Sequence, residues 1–167
     1  PYTFGNAWFV ENVKYVNNAN EEIDALGDID PQKTAVVDAR FKEILKGVER
    51  SDKDSLSYVH ITSYAPNHLT YESSSAHDGV VVFSEIYYPG WKVTIDGQPV
   101  EMGRANYILR TMNVPAGKHV IEMRFNPTSL KITEGIAYGG LALLLIGAIL
   151  LLLGYRKKLG KKQTPEG

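Results

Sequence analysis

Trp91-Lys92-Val93-Thr94-Ile95-Asp96-Gly97-Gln98-Pro99-Val100-Glu101-Met102 carries the clearest local instruction in this chain. Two short runs, 91–95 and 99–102, flank Asp96-Gly97, and both central residues of a type I′ turn need a positive φ, which Asp and Gly tolerate. The stretch therefore predicts a tight hairpin. Downstream, segments 107–114 and 118–125 are joined by Pro115-Ala116-Gly117, where Pro presets the first turn angle and Gly closes it. Ile121, Met123 and Phe125 alternate with polar residues and share one face of their strand. Upstream, Asp78-Gly79 opens the apolar run Val80-Val81-Val82-Phe83, which predicts a central strand buried on both faces. Segments 56–64 and 68–73 read as strands separated by the turn cluster Ala65-Pro66-Asn67. Short strands at this spacing predict a mainly β domain, sandwich-like in the immunoglobulin or jelly-roll manner.

The first 50 residues differ. Ala7-Trp8-Phe9-Val10 and residues 13–16 read as extended, and Thr34-Ala35-Val36-Val37-Asp38 as a strand. Between them, Asn20 as a cap, Glu21 and Glu22 in the first turn and Gly27 at the end predict a short helix. Residues 47–55 form a polar break and read as a loop. The expected organisation is an α/β segment, 1–50, packing on a sandwich of residues 51–134.

From Gly135 to Tyr155 no residue is charged, and residues 141–153 are almost wholly Leu, Ile, Ala and Gly. As a helix, residues 136–155 extend about 30 Å at about 1.5 Å per residue, the hydrocarbon thickness of a bilayer. A buried core helix is the alternative, but the remaining chain is too small to surround a helix that is apolar on every face. Residues 135–155 are therefore expected to span the membrane, with Tyr138 and Tyr155 near its two interfaces. Arg156, Lys157, Lys158, Lys161 and Lys162 follow at once. Lys and Arg at one helix end mark the cytoplasmic side, so residues 156–167 are expected in the cytoplasm and residues 1–134 outside it. A tail-anchored protein with residues 1–134 in the cytosol is the other topology open. Pro1 opens directly into a segment that reads as folded, so either a signal has been removed or a longer chain precedes it.

This split explains the bulk numbers. The 167 residues carry 18 Lys+Arg against 19 Asp+Glu, a net charge of -1, and mean hydropathy is -0.19, as in a plain soluble protein. With five basic residues against Glu166, the last twelve residues hold +4, which leaves -5 for the rest. Net charge near zero argues against nucleic acid as a partner. A 44% hydrophobic content argues against disorder, and the absence of cysteine excludes a disulfide scaffold.

Carboxylate pairs Asp28-Ile29-Asp30 and Asp52-Lys53-Asp54 match a loose metal-chelating pattern, but two oxygen ligands are too few for a hard cation. They read more simply as turn residues. His60, His68, His77 and His119 are scattered without cysteine partners, so zinc is unsupported. No nucleophile elbow, phosphate loop or dinucleotide fingerprint occurs, and neither cofactor nor metal is expected. The richest cluster is Glu85-Ile86-Tyr87-Tyr88-Pro89-Gly90-Trp91-Lys92 with Arg104-Ala105-Asn106-Tyr107. Aromatic faces beside hydrogen-bonding groups suit a sugar ring, which makes Tyr87, Tyr88, Trp91, Arg104, Asn106 and Tyr107 candidate glycan-binding residues. The alternative has Trp91 and one tyrosine filling the core while Arg104 pairs with Glu85 or Glu101.

Ser84-Glu85-Ile86-Tyr87-Tyr88-Pro89-Gly90-Trp91, Ile95-Asp96-Gly97, Arg104-Ala105-Asn106-Tyr107 and Val114-Pro115-Ala116-Gly117-Lys118-His119 resemble the C-terminal part of the YfhO family of bacterial membrane proteins. Gly5-Asn6-Ala7-Trp8-Phe9-Val10 and residues 30–38 look like its Bacteroidetes version. The resemblance implies a large polytopic protein of the inner membrane, similar to lipid-dependent (GT-C-like) glycosyltransferases that modify envelope polymers such as teichoic acid. It implies as partners the bilayer, upstream membrane helices, and an envelope glycan or polyprenyl-phosphate sugar. In such enzymes the catalytic acids lie in an early extracytoplasmic loop. No position here matches that loop, so no catalytic residue is carried over. A membrane-tethered carbohydrate-binding or protein-interaction sandwich is the other function open.

Overall fold

A computed structural model describes residues 5–51 and 56–161. The chain falls into two compact units, Pro1–Asn126 and Pro127–Gly167. In the first, the elements run β1 (Ala7–Phe9), β2 (Asn12–Val16), α1 (Ala19–Leu26), β3 (Thr34–Asp38), a 3₁₀ turn at Ala39–Phe41, β4 (Tyr58–Ala65), β5 (His68–Ser75), β6 (Gly79–Ile86), β7 (Trp91–Ile95), β8 (Gln98–Val100), β9 (Gly103–Ala105), β10 (Leu109–Val114) and β11 (Gly117–Phe125).

Two antiparallel sheets result, ordered β1-β6-β10-β9 and β4-β5-β11-β7-β8. They share one core. Phe9, Val81, Phe83, Met112 and Val114 of the four-stranded sheet meet Leu69, Tyr71, Val93, Ile95, Ile121 and Met123 of the five-stranded sheet. The domain is thus mainly β and sandwich-like, as the strand spacing predicts. Ile121 and Met123 face inward together, as their alternation requires.

Val80 and Val82 point the other way, into a second core with Val10, Val13, Ala35, Val37 and Leu45. The apolar run of β6 is therefore buried on both faces. What covers its outer side is a parallel pair, β2 and β3, connected through α1, as a parallel pair must be through a long crossover. Val36 alternates away from Val37 to pack with Val16 and Ala25 of α1. The segment expected over residues 1–50 thus divides its parts: β2, α1 and β3 form a third layer, whereas β1 is an edge strand of the sandwich itself, paired with β6.

Two local details differ from expectation. The helix is capped by Asn18 rather than Asn20; the Asn18 side chain accepts from the backbone N–H groups of Asn20 and Glu21 at 3.1 Å each. The described part of the loop expected at 47–55 is tied to β2, with Val13 N–H donating to Glu49 O at 2.9 Å and Ser51 N–H to Glu11 O at 2.8 Å. Asp52-Lys53-Asp54 lies outside the described residues. Asp30 is a turn residue, its carboxylate accepting from Gln32 N–H at 3.0 Å. Among the described residues no three His, Asp or Glu side chains converge as metal ligands.

The hairpin of β7 and β8 turns as its sequence demands, with φ of 50° at Asp96 and 80° at Gly97. Asp96 has a further role. Its carboxylate accepts from Val120 N–H at 2.9 Å and meets His119 Nδ1 at 2.6 Å, while His119 Nε2 lies 3.1 Å from Ala116 O. Both ring nitrogens face acceptors, so only the imidazolium satisfies both.

The second unit is α2, Thr128–Lys161, with no polar stripe along it. Within it Ile132–Arg156 is the one helix among the described residues long and apolar enough to cross a membrane, at a mean hydropathy of 2.6. It contains the span expected at 135–155. Of the basic run, Lys162 and the residues beyond it lie outside the described residues.

Two outcomes follow from these contacts. A Cβ on Gly79 would stand 2.8 Å from the ring of Phe9 and 3.1 Å from Ser51 Oγ. Gly79→Ala should therefore lower stability by about 1–3 kcal/mol, the usual range for overpacking, and an unchanged denaturant midpoint would refute that close approach. The Asp96 hydrogen bond holds the His119 pKa above its ordinary 6.5, and the His119 hydrogen bond holds Asp96 below its ordinary 3.8. The pair then stabilises fully between pH 3.8 and 6.5. Its contribution is lost as pH rises through the raised His119 value, and on the acid side as pH falls through the lowered Asp96 value. Melting curves from pH 5 to 9 should show a parent-minus-His119→Asn difference that shrinks with rising pH; a flat difference would sink the assignment.

Candidate functional site

β6 and β10 pair irregularly at one end. Leu109 is opposite Ile86 but Arg110 is opposite Phe83, so Ser84 and Glu85 have no register partner on β10 and form a bulge. A bulge bends its strand and re-aims side chains. The chain then turns through Tyr87-Tyr88-Pro89-Gly90, with Gly90 at φ 106°, a value an L side chain rarely adopts. Trp91 begins β7 opposite Phe125 at the end of β11.

Three of the six candidate residues come together here. Tyr87, Tyr88 and Trp91 line a cleft of about 430 Å³ with Lys92, Val100 and Glu101 around them. That volume lies in the range of small-molecule sites. Tyr87 is set edge-on to Phe41 at 5.6 Å. Tyr88 is exposed and lies 6.1 Å from the Phe125 ring, and Trp91 is 5.5 Å from the same ring.

Beneath Trp91 is a residue that the sequence reading missed. Arg110 occupies the inward parity of β10, in step with Met112 and Val114, and is 2% exposed. Its Nε donates to Ile86 O at 3.0 Å, Nη1 lies 3.5 Å from Met123 Sδ, and Cζ stands 4.0 Å from the Trp91 ring centroid. Burial lowers the Arg110 pKa, opposed by the negative charge of Glu85. A desolvated guanidinium over an indole face is a strong cation–π geometry. It packs against the Trp91 ring, which also meets Phe125 and lines the cleft. The available signal was an Arg sharing the strand parity of two core residues.

Arg104, Asn106 and Tyr107 do not line this cleft. Arg104 Nη2 is 2.7 Å from Glu22 Oε2, not paired with Glu85 or Glu101 as the burial alternative has it. Glu22 is wholly buried, and its other oxygen accepts from Tyr107 N–H at 2.8 Å. Asn106 bonds Val36 twice: its N–H donates to Val36 O at 2.7 Å, and its Oδ1 accepts from Val36 N–H at 2.9 Å. Asn106 and Tyr107 take φ of 49° and 70°. Two successive left-handed residues without glycine are unfavourable, and these bonds hold them. The group ties the third layer to the sandwich.

Removing the charge at Glu22 should expose this role. Glu22→Gln can still accept from Tyr107 N–H but leaves the Arg104 guanidinium, 18% exposed, without its counter-charge. Losing one partner of such a pair costs about 3 kcal/mol. Adding Arg104→Met should recover part of that loss in the same urea titration. A single variant as stable as the parent would show that the pair does not hold the layers.

The family model described as bacterial membrane protein YfhO matches residues 33–137, well over half of the chain and everything from β3 to the start of α2. Neither the curated proteins nor the solved structures give a match. The matched segment contains the whole sandwich apart from β1, the cleft and the Arg104–Tyr107 turn. The chain belongs to the YfhO family of bacterial membrane proteins.

Proposed function

We propose that this chain is the outer domain and membrane anchor of a polytopic, lipid-linked-sugar-dependent glycosyltransferase-like protein of the bacterial inner membrane. Residues 1–134 stand on the extracytoplasmic side and the basic tail is cytoplasmic. The domain holds an acceptor glycan, or the sugar of a polyprenyl-phosphate donor, while upstream membrane helices perform the transfer. One observation carries the reading: the Tyr87–Trp91 cleft presents an indole braced from behind by Arg110. A pre-oriented aromatic face loses little entropy on packing against the C–H face of a sugar ring. Lys92 and Glu101 at the cleft supply one cation and one carboxylate for ring hydroxyls. These are groups for recognition. Bond cleavage is assigned elsewhere in the parent protein.

Isothermal titration of the vesicle-reconstituted chain with soluble teichoic-acid fragments tests this. Trp91→Ala should weaken binding about tenfold, equivalent to about 1.4 kcal/mol, and Lys118→Ala, exposed at the far end of β11 and outside the cleft, should not. Binding that survives Trp91→Ala would remove the aromatic platform. No binding by any envelope glycan would instead favour a purely structural domain that packs on neighbouring helices.

A further inference from the structure

The two ends of the sandwich differ in character. At one end lie the start of β4, the β5–β6 connection, the Asp96-Gly97 turn and the start of β11, with Ser75, His77, Asp78, Asp96, Lys118 and His119 beside the exposed Leu56 and Tyr58. At the other lie the β4–β5 turn, the end of β6, the starts of β7 and β10, and the end of β11. Backbone bonds stitch this second end together: Tyr87 N–H donates to Ile108 O at 2.7 Å, and Phe125 N–H to Asn67 O at 3.0 Å. Tyr64, Ile86, Tyr88, Tyr107 and Ile108 gather there, each between 38% and 66% exposed. They are most of the large hydrophobic side chains this unit leaves in water, and they cluster at one end. An exposed apolar group of this kind at one end marks an interaction surface.

The covalent chain says what meets it. Phe125, whose ring touches Tyr88 and Trp91, is followed by six residues before Ile132, where the candidate membrane span begins. Even fully extended, seven steps of about 3.6 Å hold Phe125 within about 25 Å of that point. The polar end lies a further β11 away, nine residues or about 30 Å at about 3.3 Å per residue. The apolar end is thus the one tethered to the bilayer surface. Its side chains are the amphipathic tyrosines and branched aliphatics that favour the headgroup boundary. Lys92 and Arg124, register partners beside Trp91 and Phe125, are exposed there and suit lipid phosphates.

We infer that the rim formed by Tyr64, Ile86, Tyr88, Tyr107 and Ile108 rests in the lipid headgroup layer, so that the domain is held at the membrane by its own surface as well as by its helix. The inference requires α2 to span the membrane and does not rest on the proposed glycan, although Tyr88 belongs to both the rim and the cleft. Because the chain contains no cysteine, a single introduced one carries a unique label. Bimane on Ile86→Cys, Ile108→Cys and, at the polar end, Lys118→Cys is compared in the full chain, reconstituted in phosphatidylcholine vesicles containing phosphatidylglycerol. Brominated phosphatidylcholine should quench positions 86 and 108 several-fold more than 118, and aqueous iodide should do the reverse. Equal lipid quenching at all three positions overturns the inference. So does protection of 86 and 108 from iodide without lipid quenching, which would mean that protein covers the rim. Should the label at 86 prevent folding by circular dichroism, Tyr64→Cys takes its place under the same criteria.

Discussion

The domain depends on one strand having no outer face. Val80 to Phe83 of β6 is buried on both sides, Val81 and Phe83 in the inter-sheet core and Val80 and Val82 beneath β2 and β3. Each of the two cores needs the other. Without the third layer, Val80 and Val82 would face water; without the five-stranded sheet, so would Val81 and Phe83. Phe9 closely approaches Gly79 at the start of this strand, and the bulge at Ser84-Glu85 follows its doubly buried part. A strand so enclosed has little room to shift laterally.

Glu22 and Arg110 carry the most deeply buried charges among the described residues, and each orients something. Glu22 with Arg104 and Tyr107 N–H locks α1 to the turn after β9. Among the described residues no carboxylate lies at bonding distance from Arg110, which instead meets a carbonyl, a thioether and an indole face. Its desolvation is tolerated because Glu85 lies near enough to act on it and because the Trp91 ring supplies negative potential. The first arrangement is a fastening between layers. The second holds an aromatic side chain in a defined attitude at the mouth of a cleft, and it is this preorganisation that gives the cleft its interest.

What was legible in the sequence was local. Asp96-Gly97, the alternation of Ile121, Met123 and Phe125, the doubly buried run of β6 and the apolar helix are each written within a few residues, and each is found. Tyr87, Tyr88 and Trp91 share a cleft because they are neighbours in the chain. Long-range pairing left no such trace. Nothing in Asn12–Val16 announces a parallel partner in Thr34–Asp38, and nothing in Ala7–Phe9 announces the edge of β6. Glu22 and Arg104 are 82 residues apart, so Arg104 read as a neighbour of the nearest carboxylates. Arg110 was hidden for another reason: charge suggested exposure, whereas the parity it shares with Met112 and Val114 decided the matter.

The strand that leads to α2 is an inner one. β11 is laddered on one side to β5 from Gly117 to Arg124 and on the other to β7 from Ile121 to Phe125. A pull directed along the β11 axis acts across hydrogen bonds that lie perpendicular to it. Both ladders are then loaded in shear together, and no bond can be peeled open ahead of its neighbours as it could on an edge strand. The link to α2 is thus made through a strand held on both sides rather than through an edge strand.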